Sequence, residues 1–281
     1  MKRLTTIGAT RAFVAAERRA GARIALVPTM GALHEGHLQL VDLARRHADR
    51  VLMSVFVNPL QFGPGEDFAR YPRNAEGDSR LARARGVDAV FAPPVEEVYP
   101  DGVSGVIISA PGLRDRLCGA FRPGHFEGVL TVVAKLFNIV LPDVAVFGQK
   151  DFQQAVLIRR MVRDLDFPLR IEVAPIVREP DGLAMSSRNA YLAGSERTRA
   201  TALYRGLRAA QDAWRAGERD GPSLELTARS VIDAEGGVDV QYLEVVHPET
   251  LEGVSRAEPG SVIAVAAYVG GTRLIDNLIL D

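Results

Sequence analysis

The sequence predicts an α/β protein with a mostly parallel, helix-covered sheet, followed by a smaller α+β domain. Two observations carry this. Short apolar, β-branched runs alternate with longer stretches whose apolar residues recur at helical spacing, from the N-terminus to about residue 178. Beyond that point the alternation gives way to long arginine-rich helical stretches and then to strand-like runs around Gly270-Gly271. The boundary is placed there, giving domains 1–178 and 179–281.

Each element follows from local pattern. Residues 10–20 read as an amphipathic helix, and 23–27 as a short buried strand closed by Pro28. Leu38, Val41, Ala44 and Ala48 fall at helical spacing after it, and residues 51–57 form a second strand that stops at Asn58-Pro59. Strand, helix and strand in this order make a β-α-β unit, which implies parallel strands and a right-handed crossover. A helix over 74–85 and a strand over 88–91, ended by Pro93-Pro94, repeat the alternation. Residues 93–124 are loop-rich, with Val106-Ile107-Ile108 as a short strand candidate. Val129, Val132, Val133, Leu136, Phe137 and Val140 mark a helix that stops before Pro142. A strand over 144–147, a helix over 152–165 and a strand over 171–177 complete the sheet. The second domain holds helices over 195–216 and 223–234 and strands over 238–246 and 261–280. There is no internal repeat or low-complexity tract.

Composition excludes some functions. The chain has 281 residues, 47% hydrophobic and 25% charged, with a formal net charge of -1, so it offers no general attraction to nucleic acid or anionic membrane. No run approaches the roughly 20 apolar residues of a membrane span. The first residues lack the apolar core of a signal peptide, and a single cysteine, Cys118, cannot form an internal disulfide. A cytoplasmic protein is expected. The basic residues are nearly all arginine, the lysines being Lys2, Lys135 and Lys150.

The densest chemistry lies at the first strand-to-helix junction, Met30-Gly31-Ala32-Leu33-His34-Glu35-Gly36-His37. A helix start carries unpaired backbone N–H groups and the positive end of the macrodipole, a ready site for phosphate. His34 and His37 are three residues apart, so both rings can address the same anion. Zinc binding by this pair would need further ligands that the remaining histidines and the lone cysteine do not supply in any pattern. Gly148-Gln149-Lys150-Asp151 repeats the strand, turn and helix-start geometry. In open parallel sheets ligands bind where strands end in such turns.

These blocks, with Met185-Ser186-Ser187-Arg188-Asn189 after them in the same order, resemble the signature of the pantoate:β-alanine ligase (pantothenate synthetase) family over essentially the whole chain. That family lies in the nucleotidyltransferase superfamily with the His-x-Gly-His motif. The resemblance implies a Rossmann-like sheet and a smaller C-terminal lid domain. It implies ATP-dependent condensation of pantoate with β-alanine to pantothenate, AMP and pyrophosphate through a pantoyl adenylate. ATP would be held by residues 30–37, by Gly148, Gln149, Lys150 and Asp151, by Val177, and by Met185, Ser186, Ser187 and Arg188. His34, His37, Lys150 and Arg188 would be catalytic, with His37 at the family's proton-donor position. Gln61 and Gln154 would bind pantoate, Gln61 also helping to place β-alanine. Asp78 would sit at an acidic Mg²⁺ site, although Gly77 stands where many members carry another acid. Arg122 and His125 would lie near the site, and a homodimer is implied. The rival reading is another nucleotidyltransferase, which would share His-x-Gly-His but need not use Gln61 and Gln154 as a carboxylate pocket. A non-catalytic RNA-binding module is disfavoured by the net charge and the intact motif residues.

Overall fold

A computed structural model describes residues 1–102 and 105–281. Its larger sheet has six strands: β1 (Lys2–Leu4), β2 (Ile24–Thr29), β3 (Arg50–Val55), β4 (Ala89–Phe91), β5 (Val144–Gly148) and β6 (Arg170–Ala174). All pairings are parallel, in the order β1-β4-β3-β2-β5-β6. Between the strands run α1 (Ile7–Arg19), α2 (Glu35–His47), α3 (Ala75–Ala84), the short α4 (Val95–Val98) and α5 (Cys118–Phe121), α6 (His125–Val140) and α7 (Phe152–Asp164). From β2 the chain moves outward through β3 to β4, and then returns to place β5 on the other side of β2. The order therefore reverses at β2 and β5, the place in an open α/β sheet beyond whose strand carboxyl ends ligands ordinarily bind.

One face of this sheet is sealed by Leu40, Val41 and Ala44 of α2 and Ala82 of α3, packed on Ala25, Val27, Val51, Met53, Val90, Val144 and Val146. These strand residues alternate along β2, β3 and β5, as a pleated strand requires for residues sharing a face. Strands that also bury the intervening residues, such as Ile24, Leu26 and Leu52, are covered on both sides, which explains their unbroken apolar runs. The helix α6 is buried nearly all round rather than on one face, with only Asn138 exposed between Phe126 and Val140.

Local physics accounts for the departures from the sequence reading. β2 does not stop before Pro28 but runs through it to Thr29. Phe56 N–H donates to Thr29 O, so Thr29 faces β3 and its neighbour Pro28 faces the β5 side. There the pairing has already ended at Leu26, and a missing N–H costs nothing. Val106-Ile107-Ile108 is not a strand; Ile108 N–H donates to Thr131 Oγ1 at 3.0 Å instead. Lys2–Leu4, unmarked in the sequence, is an edge strand against β4.

The chain groups into two compact units, neither of them continuous: residues 1–114, 119–149 and 157–175 form the first, and 115–118, 150–156 and 176–281 the second. The second contains α8 (Ser195–Ala200), α9 (Ala202–Arg215), α10 (Gly221–Glu235) and the antiparallel sheet β7 (Val238–Val246), β8 (Val262–Val269) and β9 (Thr272–Ile279). The single helix expected over 195–216 is two, broken at Thr201, whose hydroxyl donates to Thr198 O at 2.7 Å. Leu203, Leu207, Ala210 and Trp214 of α9 and Leu224, Ala228 and Ile232 of α10 bury against Val245, Ile263, Val265 and Leu274. The two helices touch so closely that a Cβ on Gly206 would stand 2.7 Å from Ala228 O. Among the described residues no helix is long and apolar enough to cross a membrane.

Candidate active site

In the first unit the motif loop leaves β2 through two left-handed residues, Gly31 (φ 86°) and Ala32 (φ 50°). Gly31 is required: its φ disfavours other residues, and a Cβ there would stand 2.9 Å from Asp78 Oδ2 and 3.0 Å from Val55 Cγ1. Asp78, 5% exposed on the first turn of α3, holds this loop. Its Oδ2 accepts from Ala32 N–H at 3.0 Å and its Oδ1 from Leu33 N–H at 2.8 Å. The strained non-glycine conformation at Ala32 is thus fixed by a carboxylate from another helix.

The loop delivers His34 as the N-cap of α2, and the two histidines cap the helix reciprocally. His34 Nδ1 accepts from Gly36 N–H at 3.1 Å, and His37 Nδ1 accepts from His34 N–H at 3.4 Å. The ring centroids are 4.1 Å apart. The sequence predicts open backbone amides at this helix start, but these two amides are already taken by the rings. Each Nδ1 is an acceptor, so each neutral ring carries its proton on Nε2. What the helix start presents is therefore a pair of imidazole N–H donors. Glu35 pairs with Arg85, which also binds Asp42 at 2.8 Å.

Gln61 closes another wall of the same unit. It sits in the short turn Pro59–Gln61 after β3, its Nε2 3.0 Å from Met30 Sδ and its Oε1 accepting from Asn58 Nδ2 at 3.3 Å. Asn58 also donates to Gly128 O at 3.0 Å and accepts from Tyr99 OH at 2.9 Å. Gly128 must be glycine, because a Cβ would stand 2.3 Å from Leu60 O. Behind the turn, Arg122 donates twice to Glu66, at 2.7 and 2.6 Å, and once to Gln61 O at 3.2 Å. His125 Nδ1 lies 2.8 Å from Gln61 O, so it donates there and its Nε2 accepts from Arg122 at 3.0 Å. Burial alone would push Glu66 upward; the Arg122 hydrogen bonds and charge overcome it, so the carboxyl sits below its ordinary range. Asn58 is marked in the sequence only as the point where a strand stops, and Tyr99 and Glu66 carry no sequence signal.

In the second unit Lys150 and Gln154 stand one turn apart, at the start of α7, with Lys150 Nζ 3.8 Å from Asp151 Oδ1 and Gln154 half-buried. The same unit contains Val177, Met185, Ser186, Ser187 and Arg188. Met185 N–H donates to Val177 O at 2.9 Å, closing a small hairpin whose arms also bridge at Arg178 and Ala184. Ser186 Oγ accepts from Arg188 N–H at 3.2 Å and starts the short helix Ser187–Tyr191. Cys118 is buried with its Sγ 3.2 Å from Tyr242 OH, which burial pushes well above the usual tyrosine range.

Among the described residues no group of three or more His, Cys, Asp or Glu forms a metal cage. Asp78, the acid proposed from sequence for Mg²⁺, has an amide on each oxygen. Among the described residues the side chains form no protein-built cage for a divalent ion, and Asp78 is engaged as a clamp on the motif loop.

These features define an α/β protein with a parallel, helix-covered sheet and a histidine-capped helix start beyond its switch-point strand. The pantoate-beta-alanine ligase family model matches residues 2–279. The chain is 53% identical over 281 residues to pantothenate synthetase of Moorella thermoacetica, covering 100% of this chain and 99% of that one. It superposes on the crystal structure of pantothenate synthetase from Thermus thermophilus with a TM-score of 0.95 and 46% identity, covering 100% and 99% of the two chains. A Francisella tularensis pantoate-beta-alanine ligase, described as complexed with β-γ ATP and β-alanine, matches with a TM-score of 0.82 and 32% identity over 100% and 98%. The chain belongs to the pantoate-β-alanine ligase family.

Proposed function

We propose that this ligase condenses (R)-pantoate with β-alanine through a pantoyl adenylate. A pantoate carboxylate oxygen attacks the α-phosphorus of ATP, and the bond to the bridging oxygen breaks to release pyrophosphate. The β-alanine amine then attacks the acyl carbon and AMP leaves, the amine losing a proton as the amide forms. The observation that carries the reading is the reciprocal cap of His34 and His37, which fixes both rings through Nδ1 at the helix start and places the proton of each neutral ring on Nε2. Donors fixed before reaction are suited to charge that develops on α-phosphoryl oxygens and leaving pyrophosphate. As a neutral imidazole, His37 acts on the departing oxygen as a hydrogen-bond donor through its Nε2–H and keeps that proton.

Lys150 and Arg188 supply further positive charge to the phosphates, with Ser186 and Ser187 as hydroxyl donors and the remaining motif residues as the nucleotide cradle. Gln61 and Gln154 donate to the pantoate carboxylate and accept from its hydroxyls. The β-γ ATP and β-alanine complex of the Francisella relative supports the substrate assignment. Mg²⁺ belongs to the proposal only as the companion of ATP's phosphates, and no step is assigned to it. The division into domains 1–178 and 179–281, a homodimer and a cytoplasmic location are part of the same reading.

The test uses pantoate labelled with ¹⁸O in its carboxylate. Adenylation transfers one labelled oxygen to AMP when pantothenate forms; unlabelled AMP would overturn the adenylate route.

A further inference from the structure

Asp276 and Asn277 are adjacent on β9, 4% and 2% exposed, although strand neighbours ordinarily point to opposite faces and one of them to solvent. Each binds a different segment of the second unit. Asp276 receives a bidentate guanidinium from Arg178, Nη1 to Oδ2 at 2.6 Å and Nη2 to Oδ1 at 2.9 Å. Arg178 is the first bridge residue of the hairpin that ends in Met185-Ser186-Ser187-Arg188. Its guanidinium also binds Gly182 O at 3.0 Å at the hairpin tip and stacks 3.9 Å over the Tyr204 ring. Gly182 has φ 92°, and a Cβ there would meet Tyr204 Cδ1 at 2.3 Å, so the tip is seated on that ring. Asn277 Nδ2 donates to Lys150 O at 3.1 Å. The pair is itself rigid, since Asn277 N–H donates to Asp276 Oδ1 at 2.8 Å.

We infer that Asp276 and Asn277 are positioning residues for the adenylation step, a common strut on β9 that holds the Lys150 segment and the Met185–Arg188 segment in register with each other. The inference rests on the adenylation reading above. Burial drives the Asp276 carboxyl upward, and among the groups opposing it are Arg178 and the charge of Lys150, so the acid lies within the electrostatic reach of both segments. A carboxylate buried solely to stabilise the fold would be replaceable by apolar packing. Here the buried polar pair engages the two segments that have to meet one triphosphate chain. A shift of about 1 Å in such donors can cost on the order of 10²-fold in rate.

The experiment measures pyrophosphate release from ATP in a single turnover with saturating pantoate and no β-alanine, for the full-length parent, Asn277→Ala, Lys150→Ala and the double variant. Asn277→Ser replaces Asn277→Ala where the latter does not fold. The strut predicts a roughly 10- to 100-fold slower release in the Asn277 variant, with the KM for β-alanine unchanged in the full reaction. In the Lys150→Ala background the same substitution should cost no more than about 2-fold, because the group it positions is gone. Equal losses in both backgrounds, or parent-like release by the Asn277 variant, overturn the strut alone. A parent that releases no pyrophosphate overturns the adenylation reading and the strut with it.

Discussion

Replacing Asp78 by asparagine separates two roles for this acid, loop clamp and metal ligand. In the structure its two oxygens hold the amides of Ala32 and Leu33 at 3.0 and 2.8 Å, just ahead of the histidine cap. Asparagine keeps the shape but offers one acceptor, so one amide meets an NH₂ group instead. Loss of a charge-assisted hydrogen bond costs about 1.5–3 kcal/mol, and the Leu33 amide is buried, so an unpaired donor there raises the cost toward about 3 kcal/mol. For a chain of this size that lowers the melting temperature by roughly 6–12 °C. The left-handed backbone at Gly31 and Ala32 loses its restraint, and turnover should fall together with stability. Scanning calorimetry and steady-state rates at several Mg²⁺ concentrations read both effects. The clamp predicts a lower melting temperature and a lower kcat with an unchanged Mg²⁺ midpoint. An unchanged melting temperature with a raised Mg²⁺ midpoint would refute it and return Asp78 to the metal.

Lys150→Ala should slow adenylation by about 10²-fold or more while leaving thermal unfolding unchanged, as expected for an oriented charge on a transition state; near-parental turnover would remove Lys150 from the phosphate site. Gln154→Ala should raise the KM for pantoate more than the KM for ATP, measured by varying each at saturation of the other. Glu66 gives a pH prediction. Its folded value lies below the ordinary 4.5, so the stability from its Arg122 pairing is fully present above pH 4.5 and is lost as pH falls through the folded value. The melting temperatures of parent and Glu66→Gln should therefore differ most near neutrality and converge in acid. A gap that widens in acid would contradict the pairing.

The parallel sheet was legible because its strands and helices carry distinct periods and end at Pro, Gly or Asn. Elements without that contrast were not. Lys2–Leu4 is three residues long with two exposed side chains, too short for an alternation to register. The break at Thr201 has neither Gly nor Pro to announce it; the residue keeps helical angles, φ -66° and ψ -18°. Val106 and Ile107 look like a strand by composition but are 88% and 53% exposed. At the candidate site, the spacing of His34 and His37 suggested convergence on one anion, while the Nδ1 bonds that set their tautomer depend on loop geometry no spacing reveals. Arg178 and Asp276 meet across 98 positions, and Lys150 and Asn277 across 127, so no local pattern marks β9 as a support for the motif segments.

In the proposed reaction pantoate is activated by ATP before the amine takes part. The most direct measurement is exchange of labelled pyrophosphate into ATP, with Mg²⁺ present and β-alanine absent, with and without pantoate. Exchange should depend on pantoate, because adenylation reverses when no amine consumes the adenylate. No exchange with pantoate, in a preparation that forms pantothenate once β-alanine is added, would contradict it.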